Sequence, residues 1–106
     1  MKRKTLPPIP ATLPSILGPV PVARVAGLRN ASGEECLGIW RGDERDVRLR
    51  TDAEMALTQA WQTYWHEWAH IVLSDGAVHP ELTEAMIERI CDAFGNARTR
   101  ELLDAR

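Results

Sequence analysis

At 106 residues, with 44% hydrophobic and 26% charged residues, the chain has room for one small domain with a real core and not for two. A net charge of −2 gives no bulk attraction for nucleic acid, and no stretch approaches the about 20 consecutive apolar residues of a membrane span. Cys36 and Cys91 stand far apart with no Cys-x-x-Cys spacing, which suits free thiols in a reducing, cytoplasmic compartment better than a disulfide framework.

Residues 1–18 begin with a basic tip, Lys2-Arg3-Lys4, and continue proline-rich. The tip and the apolar residues after it imitate a signal peptide, but Pro7, Pro8, Pro10, Pro14, Pro19 and Pro21 interrupt any apolar helix. The stretch reads as an extended or disordered arm, with a single domain over 19–106. Within that domain Val20 to Leu28 is rich in β-branched residues and predicts a first strand, confined by Pro21 to a sheet edge or to the strand's start. Asn30-Ala31-Ser32-Gly33 is turn chemistry. A hairpin follows: Cys36 to Trp40 is one apolar run, Arg41-Gly42-Asp43-Glu44 connects, and Asp46-Val47-Arg48-Leu49-Arg50 alternates with period two, which puts Val47 and Leu49 toward a core.

Thr51-Asp52-Ala53-Glu54 has the form of a capping box and predicts a helix running to a stop at Gly76. At about 100° per residue, Leu57, Trp61, Tyr64, Trp65, Trp68 and Val72 share one face, the expected core stripe, while His66 and His70 fall nearly opposite. His79-Pro80 opens a second predicted helix with Leu82, Met86, Ile90, Ala93 and Phe94 as its core stripe and Gly95-Asn96 as its stop.

The residues His66-Glu67-Trp68-Ala69-His70 form a His-Glu-x-x-His set. One helical turn brings both imidazoles to one face, the arrangement needed for two nitrogen ligands on one zinc ion. Glu67 is then placed to take a proton from a water on the metal. Such a site needs a third protein ligand and an open fourth position. Glu88, 18 residues after His70, is the favoured third ligand, on a helix packing back against the first; His79 in the loop and Glu84 one turn earlier are its rivals. For Glu84 a helix-dipole role competes with ligation. Asp92, four residues beyond Glu88, can hydrogen-bond the free ring nitrogen of a ligand His and fix its orientation.

His66-Glu67-x-x-His70 followed by Glu88-x-x-x-Asp92 resembles the gluzincin arrangement of zinc metallopeptidases. Ile87 to Phe94 is similar to the ligand helix of ImmA/IrrE-type peptidases, and a short chain with a hairpin before the His-Glu helix resembles small phage and prophage zincins. The likeness covers roughly residues 36 to 95. It departs from the metzincins, since Gly76 stands where their third His would be, and no downstream Tyr is placed to stabilise an oxyanion. The resemblance implies one Zn2+ and hydrolysis of a peptide bond in a peptide or protein substrate, with Glu67 as general base. It also implies pairing of the extended substrate with a strand edge, for which 46–50 is the expected strand. The alternatives are a non-catalytic interaction protein that keeps zinc as a structural cross-link, and a helical hairpin with no metal. The expected fold is α+β: a small, mostly antiparallel sheet of about three strands on a central metal helix, with a second helix completing the site.

Overall fold

The computed structural model describes residues 6–50, 56–77 and 79–105, and for His79 the backbone alone. The capping box expected at Thr51–Glu54 lies outside the described residues. Four strands, β1 (Thr12–Leu13), β2 (Val20–Val25), β3 (Gly38–Arg41) and β4 (Asp46–Arg50), form one sheet. Two helices follow, α1 (Leu57–Asp75) and α2 (Glu84–Asp104), joined through a short 3₁₀ turn, His79–Glu81. Among the described residues no helix is long and apolar enough to cross a membrane.

The sheet has the order β1-β2-β4-β3 and is mixed: β3 pairs antiparallel with β4, but β2 pairs parallel with β4, in register Val22 with Val47 through Val25 with Arg50. Two of the three pairings, β1–β2 and β3–β4, are antiparallel, so the sheet is mostly antiparallel as expected; it differs in having four strands rather than about three and one parallel pairing. The loop after β2, turned by Asn30 (its side chain accepts from the backbone of Ser32 and Glu34), delivers β3 to the far side. The returning β4 then slots between β2 and β3. This is the natural place for the strand with the strongest alternation, since Val47 and Leu49 are fully buried against α1 and each contributes about 1.5–3 kcal/mol by leaving water. Strand β4 is therefore internal, and β3 is the open edge.

Residues 6–18 are extended, as their prolines favour, but they belong to the core: Leu6 and Leu13 are buried in the same cluster as Val20, Val47, Leu49, Trp61, Tyr64 and Ile71. Helix α1 holds this segment by two polar tips, Trp61 Nε1 donating to the Pro7 carbonyl at 2.8 Å and the Tyr64 hydroxyl donating to the Thr12 carbonyl at 2.6 Å. Pro21, expected at a sheet edge or at the strand's start, is the second residue of β2, which lies between two neighbours. It is tolerated because the bond to the arm comes from Val22 N to Ala11 O, and the ladder to β4 starts only at Val22.

Within the aromatic stripe only Trp61 and Tyr64 are fully buried; Leu57 and Val72 are exposed, at 40% and 47%. Trp65 and Trp68 turn toward α2, where the Arg98 guanidinium lies 4.5 Å from the Trp65 ring and Phe94 meets Trp68 edge-on. The helix ends at Gly76 as expected, although the left-handed residue is Ala77 (φ 57°) rather than the glycine.

Helix α2 departs further. It starts at Glu84, capped by the Thr83 hydroxyl accepting from Met86 N, so His79-Pro80 forms a separate turn and does not begin the helix. It runs through Gly95-Asn96 without a break. Its buried face is Ile87, Cys91, Gly95 and Thr99, not the expected Met86, Ile90 and Phe94, and Met86 and Phe94 are each 47% exposed. The buried set is spaced by four residues and dominated by small side chains, which lets the two helix backbones approach closely. A Cβ at Gly95 would stand 2.6 Å from the Gln62 carbonyl oxygen. Gly95 thus sets the crossing of α2 over α1 and does not end the helix.

Candidate metal centre

His66, Glu67 and His70 lie mid-way along α1, on the side turned from the aromatic core toward α2 and the edge of β3. The close crossing at Gly95 brings the N-terminal half of α2 over this face. His66 Nε2 and His70 Nε2 stand 3.2 Å apart; Glu88 Oε2 is 3.3 Å from the first and Glu88 Oε1 is 3.1 Å from the second. Two imidazole nitrogens and the two oxygens of one carboxylate thus converge. On a tetrahedral zinc with bonds of about 2.0–2.1 Å, neighbouring ligand atoms are about 3.3–3.4 Å apart. These residues could hold a metal ion, with donor types and spacings within the range of a tetrahedral site.

Asp92 completes the arrangement where its spacing predicts. Its Oδ1 lies 2.8 Å from His66 Nδ1. Accepting a hydrogen bond from Nδ1, the Asp92 carboxylate would leave Nε2 free to face the shared point. Of the two rivals for the third ligand, Glu84 is exposed at the first turn of α2 and is not among the clustered donors, which accords with a helix-dipole role. The side chain of His79 lies outside the described residues.

Glu67 points to the other side of the cluster, toward β3. It is 5% exposed, and burial, with the neighbouring Glu88 charge as a smaller cause, pushes its carboxyl up to about 8. A divalent cation beside it would draw that value back down. Its pocket is shaped by Gly38: a Cβ there would lie 3.1 Å from Glu67 Oε1 and 2.7 Å from the Thr63 methyl.

One neighbour was missed by the sequence reading. The Cys91 thiol is fully buried, and its sulfur and one ring nitrogen each of His66 and His70 lie within 4.8 Å of one another. Burial first, then the Glu88, Glu67 and Asp92 charges, push the thiol up to about 12 in the metal-free chain, and a bound cation would draw it down. Its position one turn after Glu88 was the available signal.

The centre opens to solvent along a groove between the edge of β3 and the two helices. Gly38, His66 and Glu67 line two adjoining cavities, of about 340 and about 440 Å³. The register fixes which backbone groups face this groove. Arg50 N donates to Leu37 O, so Leu37, Ile39 and Arg41 bond to β4, while the N–H and C=O groups of Gly38 and Trp40 point to the open edge. No family model matches this chain, and no match is found among curated proteins or solved structures.

Proposed function

We propose that this protein is a zinc-dependent metallopeptidase of the gluzincin kind reduced to one small domain. The observation that carries the reading is the convergence of His66 Nε2, His70 Nε2 and the Glu88 carboxylate at 3.1–3.3 Å beside a buried glutamate, Glu67, at the floor of an open groove. These three residues would hold the ion, and Asp92 would fix the His66 ring. Bound there, zinc supplies Lewis acidity, bringing the pKa of a coordinated water toward about 7 and polarising a carbonyl. Glu67 accepts a proton from the attacking water and returns it to the leaving amine; its buried surroundings suit it to both states. The extended substrate pairs with the free groups of Gly38 and Trp40 on β3. This replaces the 46–50 strand in that role, since β4 has a neighbour on each side. The two cysteines, both free, accord with a reducing compartment.

A structural zinc is the second reading, favoured by the thin apolar contact between the helices, where Ala69, Ile87 and Cys91 form the buried cluster. Two features oppose it: a cross-link has no use for a buried base, and its ligands need no open groove. Glu67→Gln separates the two. In the peptidase, zinc binding survives and zinc-dependent cleavage of a mixed peptide library falls by about 10²–10⁴-fold. Wild-type protein that cleaves no better than Glu67→Gln across such a library makes the zinc a cross-link.

A further inference from the structure

The metal donors sit at a saddle between two halves of the groove whose linings differ. The half toward β3's later residues is bordered by Cys36, Ile39 and Trp40. The other, about 340 Å³, carries three carboxamides, Gln59 and Gln62 from α1 and Asn96 from α2, brought together by the backbone approach at Gly95. No hydrogen bond among the described residues engages the side chain of any of the three, so their amide groups are available to a ligand in the cavity they line. Among the described residues no Lys or Arg lines either half, while the carboxylates of Glu67 and Asp92 border the amide-lined one.

Each class of side chain meets this wall differently. An acidic group finds two carboxylates and, among the described lining residues, no Lys or Arg. An aliphatic group strips water from the amides without giving them partners, which costs free energy. A basic group finds Asp92 already committed to His66 and well exposed to screening water. A carboxamide matches a carboxamide, donor to acceptor and acceptor to donor. We propose that Gln59, Gln62 and Asn96 form a specificity pocket that selects a glutamine or asparagine side chain of the peptide next to the bond to be cleaved. The proposal rests on the peptidase reading of the groove and names its substrate class.

The test uses binding, so that it does not depend on turnover. Zinc-loaded Glu67→Gln protein is titrated with alanine-based peptides that differ at one residue, Gln, Leu, Lys or Glu, and dissociation constants are read by calorimetry. The Gln peptide should bind about tenfold more tightly than each of the others, the worth of one or two net hydrogen bonds. Adding Gln62→Leu and Asn96→Leu should erase that preference with zinc content unchanged. Equal binding of Gln and Leu peptides, tighter binding of Lys or Glu, or no binding of any peptide overturns the pocket, and these outcomes need no further variant. So does a Gln preference that survives the double replacement. Zinc-dependent cleavage by wild type without a Gln preference leaves the peptidase standing and removes the pocket. A Gln preference without cleavage does the reverse.

Discussion

Asp92 leaves 69% of its side chain in water, yet its Oδ1 lies 2.8 Å from His66 Nδ1, and on the proposed reading it fixes which nitrogen of His66 faces the metal. Because its effect runs through another residue, its loss should be graded: Asp92→Ala should weaken zinc affinity by about 10–100-fold while the thermal midpoint of the metal-free protein stays put. Unchanged affinity in a chelator-competition titration removes the role. Asp75 presents a different residue-scale case. Arg45, in the β3–β4 turn, grips both its oxygens at 2.9 and 3.0 Å and holds its carboxyl below the ordinary value, tying the hairpin to the C-terminal end of α1. A carboxyl lowered in the folded state binds fewer protons there than in the unfolded chain. Its contribution is therefore complete above the ordinary value near 4 and drains away as pH falls through the lowered one. Asp46, held by Arg41, acts in the same direction. Acid unfolding of metal-free Asp75→Asn should accordingly show a shallower loss of stability below about pH 4 than wild type. Parallel acid limbs would show that the pair carries no such linkage.

At the scale of elements, the crossing of α1 and α2 governs the site, and Gly95 governs the crossing. Gly95→Ala gains up to about 1 kcal/mol of helix propensity, but its methyl meets a backbone oxygen at 2.6 Å, which cannot rotate away. Overpacking of this kind typically costs about 1–3 kcal/mol. The variant should therefore be less stable and bind zinc more weakly, because Glu88 and Asp92 move away from His66. A stabilised variant with undiminished zinc affinity would show that the helices do not need this approach. The same glycine marks where the sequence stopped being readable. Local spacing places His66, Glu67 and His70 on one helical turn, and it makes Glu88 and Asp92 a pair one turn apart; both hold in the fold. The buried face of α2 was not readable, because apolar periodicity favours Met86, Ile90 and Phe94. The face actually buried is chosen by small residues, Cys91, Gly95 and Thr99, whose value lies in what they leave room for. The order of strands escaped for a similar reason. Alternation shows that Val47 and Leu49 face a core, but which neighbour lies on each side of β4 depends on the loop after β2 and on the arm, not on β4 itself.

Across the whole molecule, the chain is held at three places far apart in sequence. Trp61 and Tyr64 fasten the arm, Arg45 and Asp75 fasten the hairpin turn, and the metal donors join α1 to α2. The proline-rich start looked dispensable in composition, yet it supplies Leu6 and Leu13 to the core, and two hydrogen bonds made by aromatic tips on α1 reach back to it. On the proposed reading a bound ion strengthens the third fastening. An ion that binds the folded chain and not the unfolded one stabilises by about 2.7 kcal/mol when present at a hundredfold excess over its dissociation constant. The most direct measurement is therefore a zinc titration of metal-free protein that follows stoichiometry and thermal midpoint together, for wild type and for His66→Ala/His70→Ala. One zinc per chain and a raised midpoint in wild type, with both lost in the double variant, is the result this account predicts. A wild-type chain that binds no zinc, or a double variant that binds it unchanged, would contradict the account at its base.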